Sequence, residues 1–438
     1  MGLAILRRFA MAGLRCILLE KGADILSGAS KGNSALLHTG FDAPPRSLEL
    51  VCMKAGYAEY LSICQKLNLP LIETSALVVA WNEAELAALP DIVAKAHKNG
   101  ITDVRMISQT ELRLKEPNLA RHALEAVLVP GEHVIDAWSA PLAYGHQALA
   151  HGAKILRKAE VMSGEFSDGC WTLQTRGGEV TANNVVNAAG NFGDIVESMA
   201  RPSPFAIKPR KGQFVVFDKP ASKLVTAIIL PVPTPRTKGV VVFRTAYGNL
   251  AIGPTAEDQE EREIATCDSK TLAHLKARAA EIVPELATVD VTATYAGLRP
   301  ASNQMDYIIE ALPKKNWITA AGIRSTGLTA SLGIAQEVAA IYAKKFAKLP
   351  KTSPDPIWTP VPNLAETRIR PYLMGGEIIC HCERVTRGEI EHALAGPMPA
   401  GDLSGLKRRT RAMMGRCQGF YCSANIAAIT KGCFDATS

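Results

Sequence analysis

Four cysteines near the C-terminal end of the chain have the residue types and spacing of metal ligands. Cys380 and Cys382 form a C-x-C pair, and Cys417 and Cys422 form a C-x4-C pair. Four thiolates can hold a 2Fe–2S cluster, because each iron takes two soft anionic ligands besides the bridging sulfides. Zinc and four buried, unligated cysteines are the alternatives, but zinc modules mostly use wider pairs than C-x-C. The spacing therefore favours an iron–sulfur centre and redox chemistry elsewhere in the chain.

The N-terminal segment has the pattern of a helix followed by a strand. Apolar residues from Leu3 to Leu14 share one helical face, and residues 16–20 form a short apolar run that ends in Glu20. A dinucleotide-binding βαβ unit places an acidic residue about 20 residues after its glycine loop, where the carboxylate binds a ribose. Gly2 and Glu20 fit the third glycine and the acidic residue of that unit.

The first strand and the first two glycines of such a unit do not precede Gly2. Those glycines normally form the tight turn that brings backbone N–H groups to a pyrophosphate. The motifs that follow favour the interpretation that the start of this sequence has been placed inside a dinucleotide-binding unit. A truncated relative and an ordinary helix–strand pair are the alternatives.

Three later segments place small residues where the backbone could approach a cofactor. They are the polar loop 27–34, the strand-to-helix segment 185–194, and the glycine-rich turn and helix at 320–338. The start of a helix offers free N–H donors and positive potential. Such donors would stabilise the anion that forms on a flavin when it is reduced. The order of these segments, rather than any one of them, indicates a nucleotide-binding domain.

The composition is that of a globular enzyme without disulfides. The chain has 438 residues, 47% of them apolar and 21% charged, which is enough for two or three domains. Six of the ten cysteines are scattered singly, which favours a reducing cytoplasm. No run reaches the ~18 apolar residues of a membrane helix, and Arg7 and Arg8 interrupt any signal peptide. We expect a cytoplasmic protein without a transmembrane segment, held at most peripherally at the inner membrane face through a partner.

The net charge of +7 is dispersed except for one basic cluster beside the second cysteine pair. Its members are Lys407, Arg408, Arg409, Arg411 and Arg416. The cluster could dock an acidic partner or form a solvated helix face, and the pattern favours neither. Nucleic-acid binding is a poor interpretation, because no aromatic residues interleave with these charges.

The order of elements predicts an α/β chain with three domains. Alternating β-branched residues within 204–315 indicate an antiparallel sheet that carries the substrate site. Six prolines between positions 350 and 371 indicate an extended linker, after which Thr386 and Glu389 form a capping box that starts a helix. The predicted boundaries are 1–45, 150–203 and 316–347 for the nucleotide-binding domain, 46–149 and 204–315 for the substrate domain, 348–373 for the linker, and 374–438 for a small helical iron–sulfur domain.

Several of these motifs resemble one family. SKGNSALLHTGFDAPPRSL, VVNAAGNFGD, YAGLRPAS and GIRSTGLTASLGIA resemble the FAD oxidoreductases of the D-amino-acid-oxidase type. Within that family they are similar to the branch of the L-2-hydroxyglutarate oxidases and the anaerobic glycerol-3-phosphate dehydrogenase large subunit. ICHCERVTRGEI and GRCQGFYC are similar to the 2Fe–2S domain of bacterioferritin-associated ferredoxins. The resemblance spans nearly the whole chain and fails only before Gly2.

The resemblance implies two cofactors, FAD and a 2Fe–2S cluster. Carried over to this sequence, the family's FAD contacts fall at Gly2, Glu20, Ser30, Asn33, Val161, Ala189, Gly190, Gly327, Leu328 and Thr329. The cluster ligands are Cys380, Cys382, Cys417 and Cys422.

The implied reaction is the oxidation of a secondary alcohol that bears an anionic group. His38 is the expected base, because a neutral imidazole accepts a proton near pH 7, although isolated histidines are often structural. Arg299 is expected to anchor the anion through a forked pair of hydrogen bonds. Arg324 either neutralises charge at the same site or pairs with an internal carboxylate. Arg244 and Lys211 are weaker candidates.

The iron–sulfur segment favours glycerol 3-phosphate or a related polyol phosphate over 2-hydroxyglutarate as the substrate. Electrons would pass to a second redox subunit or a quinone-linked acceptor. Two other classes of function stay open at this stage. One is a non-catalytic electron-transfer subunit that has lost its flavin, and the other is a zinc-stabilised interaction module.

Overall fold

The structure is a computed structural model that describes residues 1–233, 239–350, 355–365 and 374–434. Its helices are short to medium in length, and none in these ranges is long and apolar enough to cross a bilayer. The helices are α1 (Gly2–Met11), α2 (Leu48–Ile63), α3 (Glu83–Lys98), α4 (Gln109–Lys115), α5 (Ser139–Ala150), α6 (Gly193–Glu197), α7 (Ser269–Ile282), α8 (Gly327–Lys345), α9 (Arg387–Leu394), α10 (Leu403–Thr410) and α11 (Ser423–Ile429).

Parallel strand pairs form the α/β part of the chain, as the sequence predicts. Strand β1 (Ile17–Leu19) pairs with β8 (Lys154–Leu156), and β12 (Val185–Asn187) pairs with β20 (Trp317–Ala321), both in parallel. The two pairs belong to separate sheets. Strand β19 (Ile308–Leu312) extends the second one. A three-stranded meander follows β8 and is made of β9 (Val161–Ser167), β10 (Cys170–Thr175) and β11 (Gly178–Ala182).

Helices α2 and α8 cross at close range beside these sheets. A side-chain carbon at Gly56 would lie 2.1 Å from the Thr329 carbonyl oxygen, and one at Gly333 would lie 2.1 Å from that of Cys52. Only glycine at these two positions allows the helix backbones to touch. The close crossing fixes the N-terminal end of α8 relative to the segment that precedes α2.

A nine-stranded sheet forms the predicted substrate part, and most of its pairs are antiparallel. The exception is the pair of β4 (Ala76–Val79) and β14 (Ile228–Pro231), which run parallel. The larger part of the sheet consists of β13 (Arg210–Phe217), β14 (Ile228–Pro231), β15 (Val241–Arg244), β16 (Leu250–Gly253), β17 (Glu257–Asp258) and β18 (Val291–Arg299). The remaining strands are β4 (Ala76–Val79), β5 (Arg105–Ile107) and β6 (Ala126–Val129).

The two faces of this sheet have different neighbours because strand side chains alternate. Phe217 and Val242 face one side and pack with Leu275 of α7. Phe214 and Tyr295 face the other side, where their rings stack at 4.5 Å. A smaller sheet, β2 (Leu36–Leu37), β7 (His133–Ile135) and β3 (Leu71–Glu73), lies on this second side and leads into the candidate site.

The C-terminal segment folds around its own small core. Strands β21 (Ile378–Cys380) and β22 (Val385–Thr386) form a hairpin. The predicted capping box is present, since Thr386 and Glu389 each bind the other's backbone N–H at the start of α9. Val385, Ile390 and Leu406 are buried together with the sulfurs of two cysteines.

Most of the arginines of the basic cluster are held by carboxylates of this same chain rather than forming a solvated face, whereas Arg416 is exposed. Arg409 donates through both Nη atoms to the buried carboxylate of Asp24, at 2.5 and 2.9 Å. Arg408 and Arg411 are only 5% and 4% exposed. Arg416 pairs with Asp218 and Asp290. The acidic partner of the cluster is therefore mainly this same chain, and the arginines dock the iron–sulfur domain.

The described part of the proline-rich linker packs against the body rather than extending as a spacer. Val361 donates its N–H to the Leu67 carbonyl at 3.1 Å, and Gln147 donates to the Ile357 carbonyl at 2.7 Å. Val361 and Leu364 are buried. Two of the predicted linker prolines, Pro354 and Pro371, lie outside the described residues.

Candidate functional site

A histidine and a buried glutamate form the centre of the candidate site. His38 follows β2, and its Nδ1 lies 2.7 Å from Oε2 of Glu132. The other carboxylate oxygen, Oε1, accepts the N–H of Thr39 at 2.6 Å and its hydroxyl at 2.8 Å. A carboxylate oxygen at this distance binds the Nδ1–H tautomer of the imidazole. In that tautomer Nε2 is the ring atom without a proton, on a side chain that is 22% exposed.

The start of α8 lies directly against this histidine. The His38 N–H donates to the Thr329 hydroxyl oxygen at 3.0 Å, and the Thr329 hydroxyl donates to the Leu36 carbonyl at 3.3 Å. Gly327 and Leu328 are the first two residues of the helix. The predicted base and the predicted helix start are thus brought together.

The polar loop 27–34 lies on the face of β18. Gly32 meets Gly297, where an added side-chain carbon would lie 2.6 Å from the facing Cα atom. The Tyr295 hydroxyl donates to the Asn33 carbonyl at 3.1 Å. Ser30 lies on an exposed turn of the same loop. The contact with β18 brings the loop and the strand that carries the predicted anion anchor into one site.

Arg299, at the end of β18, is partly buried and donates hydrogen bonds to backbone carbonyls. Its Nε binds the Arg210 carbonyl at 3.3 Å, and its Nη2 binds the carbonyls of Lys211 and Thr255 at 3.1 and 2.5 Å. Burial, with a smaller contribution from the nearby Arg210 charge, lowers the pKa of Arg299 to about 10, and the charges of Asp258 and Glu257 partly offset this. An anionic ligand would stabilise such a partly buried cation further.

The other basic candidates do not share the position of Arg299 at the end of β18. Arg324 donates to the Gln304 carbonyl, and no carboxylate in the described ranges forms an ion pair with it. Lys211 pairs with Glu257 at 3.0 Å. Arg244 alternates with Phe243 along β15 and so lies on the opposite face of the sheet from the stacked aromatic rings. Lys211 and Arg244 thus lie on the face of the sheet opposite to Tyr295 and Gly297.

Glu20 lies at the end of β1, where its Oε1 accepts the N–H of Gly22 at 2.8 Å. Burial raises the pKa of its carboxyl group, which the N–H of Gly22 partly offsets. Val161 packs in the same apolar cluster as Leu19, next to Glu20. Gly2 is the first residue of α1, which leads into this strand.

Ala189 and Gly190 directly follow β12. Because β12 and β20 run parallel, these two residues lie at the same edge of the sheet as the turn that leads from β20 into α8. Gly190 has a φ of 58°. The Lys21 ammonium lies 3.7 Å from the centroid of the Phe192 ring. That contact brings the Glu20 turn next to the segment after Gly190.

The four predicted ligand cysteines form two contacting pairs. The Cys382 and Cys417 thiols interact, as do those of Cys380 and Cys422. Among the described residues these thiols contact each other in pairs, and no group of three or more possible metal ligands forms. Cys380 and Cys422 are buried, whereas Cys382 is exposed. The site thus reaches the surface on one side.

Backbone hydrogen bonding lowers the pKa of one of these thiols. The amide of Tyr421 contributes most to lowering the pKa of Cys417, and hydrogen bonds from Cys382 and Gly419 add to the effect. Burial raises the pKa of Cys422 to about 11, and the adjacent Cys380 thiolate adds to the effect. N–H donors aimed at a cysteine sulfur favour the thiolate that iron requires. An all-sulfur set with such donors fits a 2Fe–2S cluster.

Comparison with known proteins identifies the family. The family model of FAD dependent oxidoreductases matches residues 1–341. This chain belongs to that family. The model of BFD-like [2Fe-2S] binding domains matches residues 378–431, the segment that contains all four ligand cysteines.

Relatives match the chain over nearly its whole length. Glycerol 3-phosphate dehydrogenase of Caloramator mitchellensis is 31% identical, over 98% of this chain and 91% of the relative. One subunit of the anaerobic glycerol-3-phosphate dehydrogenase from Escherichia coli (strain K12) is 26% identical, over 98% of this chain and 85% of the relative. The solved structure of dithionite-reduced L-alpha-glycerophosphate oxidase from Mycoplasma pneumoniae with FAD bound superposes with a TM-score of 0.74 and 25% identity, over 80% of this chain and 94% of that one.

These matches confirm the predicted family, its α/β fold and both cofactors, FAD and a 2Fe–2S cluster. They set aside zinc and the unligated cysteines. When bound, FAD supplies a hydride acceptor and the cluster supplies a carrier of single electrons.

Sequence reasoning missed the role of Glu132. It lies far from His38 along the chain, and β7 places the two together by pairing His133 with Leu37. An acidic residue between two apolar strand patterns is the only signal that could have found it.

Proposed function

We propose that this chain is a flavin-dependent glycerol 3-phosphate dehydrogenase that passes electrons through its 2Fe–2S cluster. The observation that carries the proposal is the His38–Glu132 pair at the start of α8. The similarity to glycerol 3-phosphate dehydrogenases supports it, because it continues through the cysteine segment.

His38 is the base in this proposal. Its Nε2 takes the proton of the substrate's secondary hydroxyl, and bound FAD would supply the hydride acceptor for the carbon that carries that hydroxyl. Glu132 keeps the proton on Nδ1 and stabilises the imidazolium that forms. Because the carboxylate is held by two donors from Thr39, it stays in place while His38 changes charge.

Arg299 anchors the substrate's phosphate. Its position on the face of β18 that meets loop 27–34, together with its lowered pKa, supports this role. An incoming phosphate would replace carbonyl partners with a charge-assisted pair of hydrogen bonds. Arg324 lies just before the start of α8 and is the second guanidinium that we assign to the anion.

The FAD contacts that we propose surround these residues. Glu20 takes the ribose, and the helix start at Thr329 faces the flavin ring. The complete set is Gly2, Glu20, Ser30, Asn33, Val161, Ala189, Gly190, Gly327, Leu328 and Thr329.

The electrons leave through the exposed side of the cysteine site to a partner. The relative from Escherichia coli is named as one subunit of its enzyme, which supports a second redox subunit or a quinone-linked acceptor. The location that goes with this proposal is the cytoplasm, at the inner face of the membrane through that partner.

Anaerobic titration tests the proposed function. Protein loaded with FAD, iron and sulfide is mixed with glycerol 3-phosphate or, in a parallel arm, L-2-hydroxyglutarate. We expect glycerol 3-phosphate to bleach the flavin absorption and to produce the electron paramagnetic resonance (EPR) signal of a reduced cluster. Bleaching by L-2-hydroxyglutarate alone would reassign the substrate. A reducible cluster with no flavin bleaching would support the non-catalytic electron-transfer subunit instead.

A further inference from the structure

Two aromatic rings stack between the substrate part and the iron–sulfur domain. The Trp138 and Tyr247 rings lie 5.6 Å apart, with planes 22° from parallel. The Arg411 guanidinium lies on the Tyr247 ring, 3.8 Å from its centroid. Three parts of the chain that are far apart in sequence therefore meet in one continuous contact.

One end of this contact reaches the flavin loop. Trp138 Nε1 donates to the Lys31 carbonyl at 3.3 Å, next to Ser30. Asp136, which is fully buried, accepts the Tyr247 hydroxyl at 2.6 Å and the Trp138 N–H at 2.8 Å. A single carboxylate thus holds the Tyr247 hydroxyl and the backbone of Trp138, and it lies directly after β7.

The other end reaches both cysteine pairs. Arg411 Nε donates to Glu383 at 3.0 Å, and Glu383 adjoins Cys382. Met413, two residues after Arg411, packs against the small core that contains Cys380 and Cys422. Arg411 has a φ of 68°, a left-handed conformation that costs a non-glycine residue free energy. The surrounding contacts hold its side chain on the ring at that cost.

We propose that Trp138, Tyr247 and Arg411 form the electron-transfer bridge between the flavin pocket and the iron–sulfur centre. The bridge rests on the proposed function, because it presupposes a flavin reduced by substrate. Oxidation of one alcohol to the ketone releases two electrons and two protons. The cluster accepts one electron at a time, so two single-electron transfers cross the bridge per turnover, and the protons go to solvent. The rings stay in their ordinary oxidation state and supply electronic coupling.

A second contact between the domains does a different job. Asp24 binds Arg409 on the nucleotide-binding side and fixes the iron–sulfur domain through hydrogen-bonded ions. Because this contact is independent of Tyr247, the domain should stay docked when the ring is removed. Docking and electron transfer can therefore be separated by substitution.

Stopped-flow and freeze-quench EPR on the holoenzyme test the bridge, with glycerol 3-phosphate as reductant and two equivalents of ferricyanide as final oxidant in turnover runs. In Tyr247→Leu we expect the reduced-cluster signal to appear at least severalfold more slowly, since the ring between Trp138 and Arg411 is gone. Tyr247→Phe, which keeps the ring, should behave as the unmodified protein. Trp81→Leu removes a partly buried ring in another part of the chain and serves as the matched control. Flavin bleaching should keep its rate in all three variants.

Amide hydrogen exchange of α10 without substrate separates coupling from docking. We expect equal exchange in Tyr247→Leu and the unmodified protein. Three results would each overturn the bridge. They are faster amide exchange of α10 in Tyr247→Leu, cluster reduction slowed as much in Tyr247→Phe as in Tyr247→Leu, and cluster reduction that is not slowed in Tyr247→Leu. If glycerol 3-phosphate does not bleach the flavin, the proposed function fails, and photoreduction of the flavin then makes the same comparison of cluster reduction.

Discussion

The iron–sulfur site and the His38 site are built in opposite ways. All four cysteines come from one short C-terminal segment with its own core, and their spacing alone predicts the metal. The proposed base, His38, depends on Glu132, on Thr329 and on a strand pairing across a large sequence separation. The comparison shows that a metal site can be encoded locally, whereas the proposed acid–base site forms only once distant segments pack.

A change at one cysteine should have the largest effect and should break only the local site. Cys417→Ser removes one of the four proposed sulfur ligands, so we expect complete loss of the cluster. Iron analysis and EPR measure this loss. Flavin bleaching by glycerol 3-phosphate should persist, because the His38 site lies in other segments. Cys433→Ser, at an exposed cysteine outside the set, should keep its iron. Loss of flavin bleaching in Cys417→Ser would show that the two sites are not independent.

A change at His38 should break only the assembled site. His38→Gln should lower the rate of flavin reduction by about 10²- to 10⁴-fold, the usual contribution of a general base. Glu132→Gln should cause a smaller fall, because Nε2 remains while its orienting charge is lost. Single-turnover flavin bleaching measures both, and the cluster signal under dithionite is the control. A rate within twofold of the unmodified protein in His38→Gln would assign the histidine a structural role.

The docking contact at Asp24 tests whether the two regions depend on each other for stability. Asp24 is fully buried against Arg409, and Arg408 lies 3.8 Å away. Asp24→Asn leaves buried guanidinium groups without a counter-charge, so the free energy of unfolding should fall by about 3–5 kcal/mol. Asp258→Asn, which breaks an exposed pair with Arg210, should cost at most about 1 kcal/mol. Urea denaturation measures both, and equal losses would contradict a buried docking contact.

The pH dependence of substrate capture sharpens the assignment of Arg299. Burial lowers the pKa of this guanidinium to about 10. Arg299 is therefore charged below that pH and loses its positive charge as the pH rises through it. In the free enzyme kcat/KM should fall by about tenfold per pH unit above that value. Arg299→Met should be impaired at all pH values and lack this limb. A steady-state profile of the unmodified enzyme that stays flat well above the Arg299 pKa would remove Arg299 from the anion site.

The sequence by itself determined the features that depend on local pattern. The C-x-C and C-x4-C pairs predict the cluster because neighbouring ligands need little help from the rest of the fold. The glycine-rich segments and Glu20 predict the nucleotide-binding part. A dinucleotide requires small residues where the protein backbone approaches it and an acidic residue at its ribose. The capping box at Thr386 is read from four consecutive residues, and it forms as expected.

Only the tertiary structure decided the contacts that join distant segments. The charge pattern of Arg408, Arg409 and Arg411 does not reveal that Asp24 and Glu383 of the same chain are their partners. Likewise, Glu132 becomes the partner of His38 only when β7 pairs with β2. The physical reason is that such pairs are selected by burial and packing of whole elements, which residue spacing along the chain does not record.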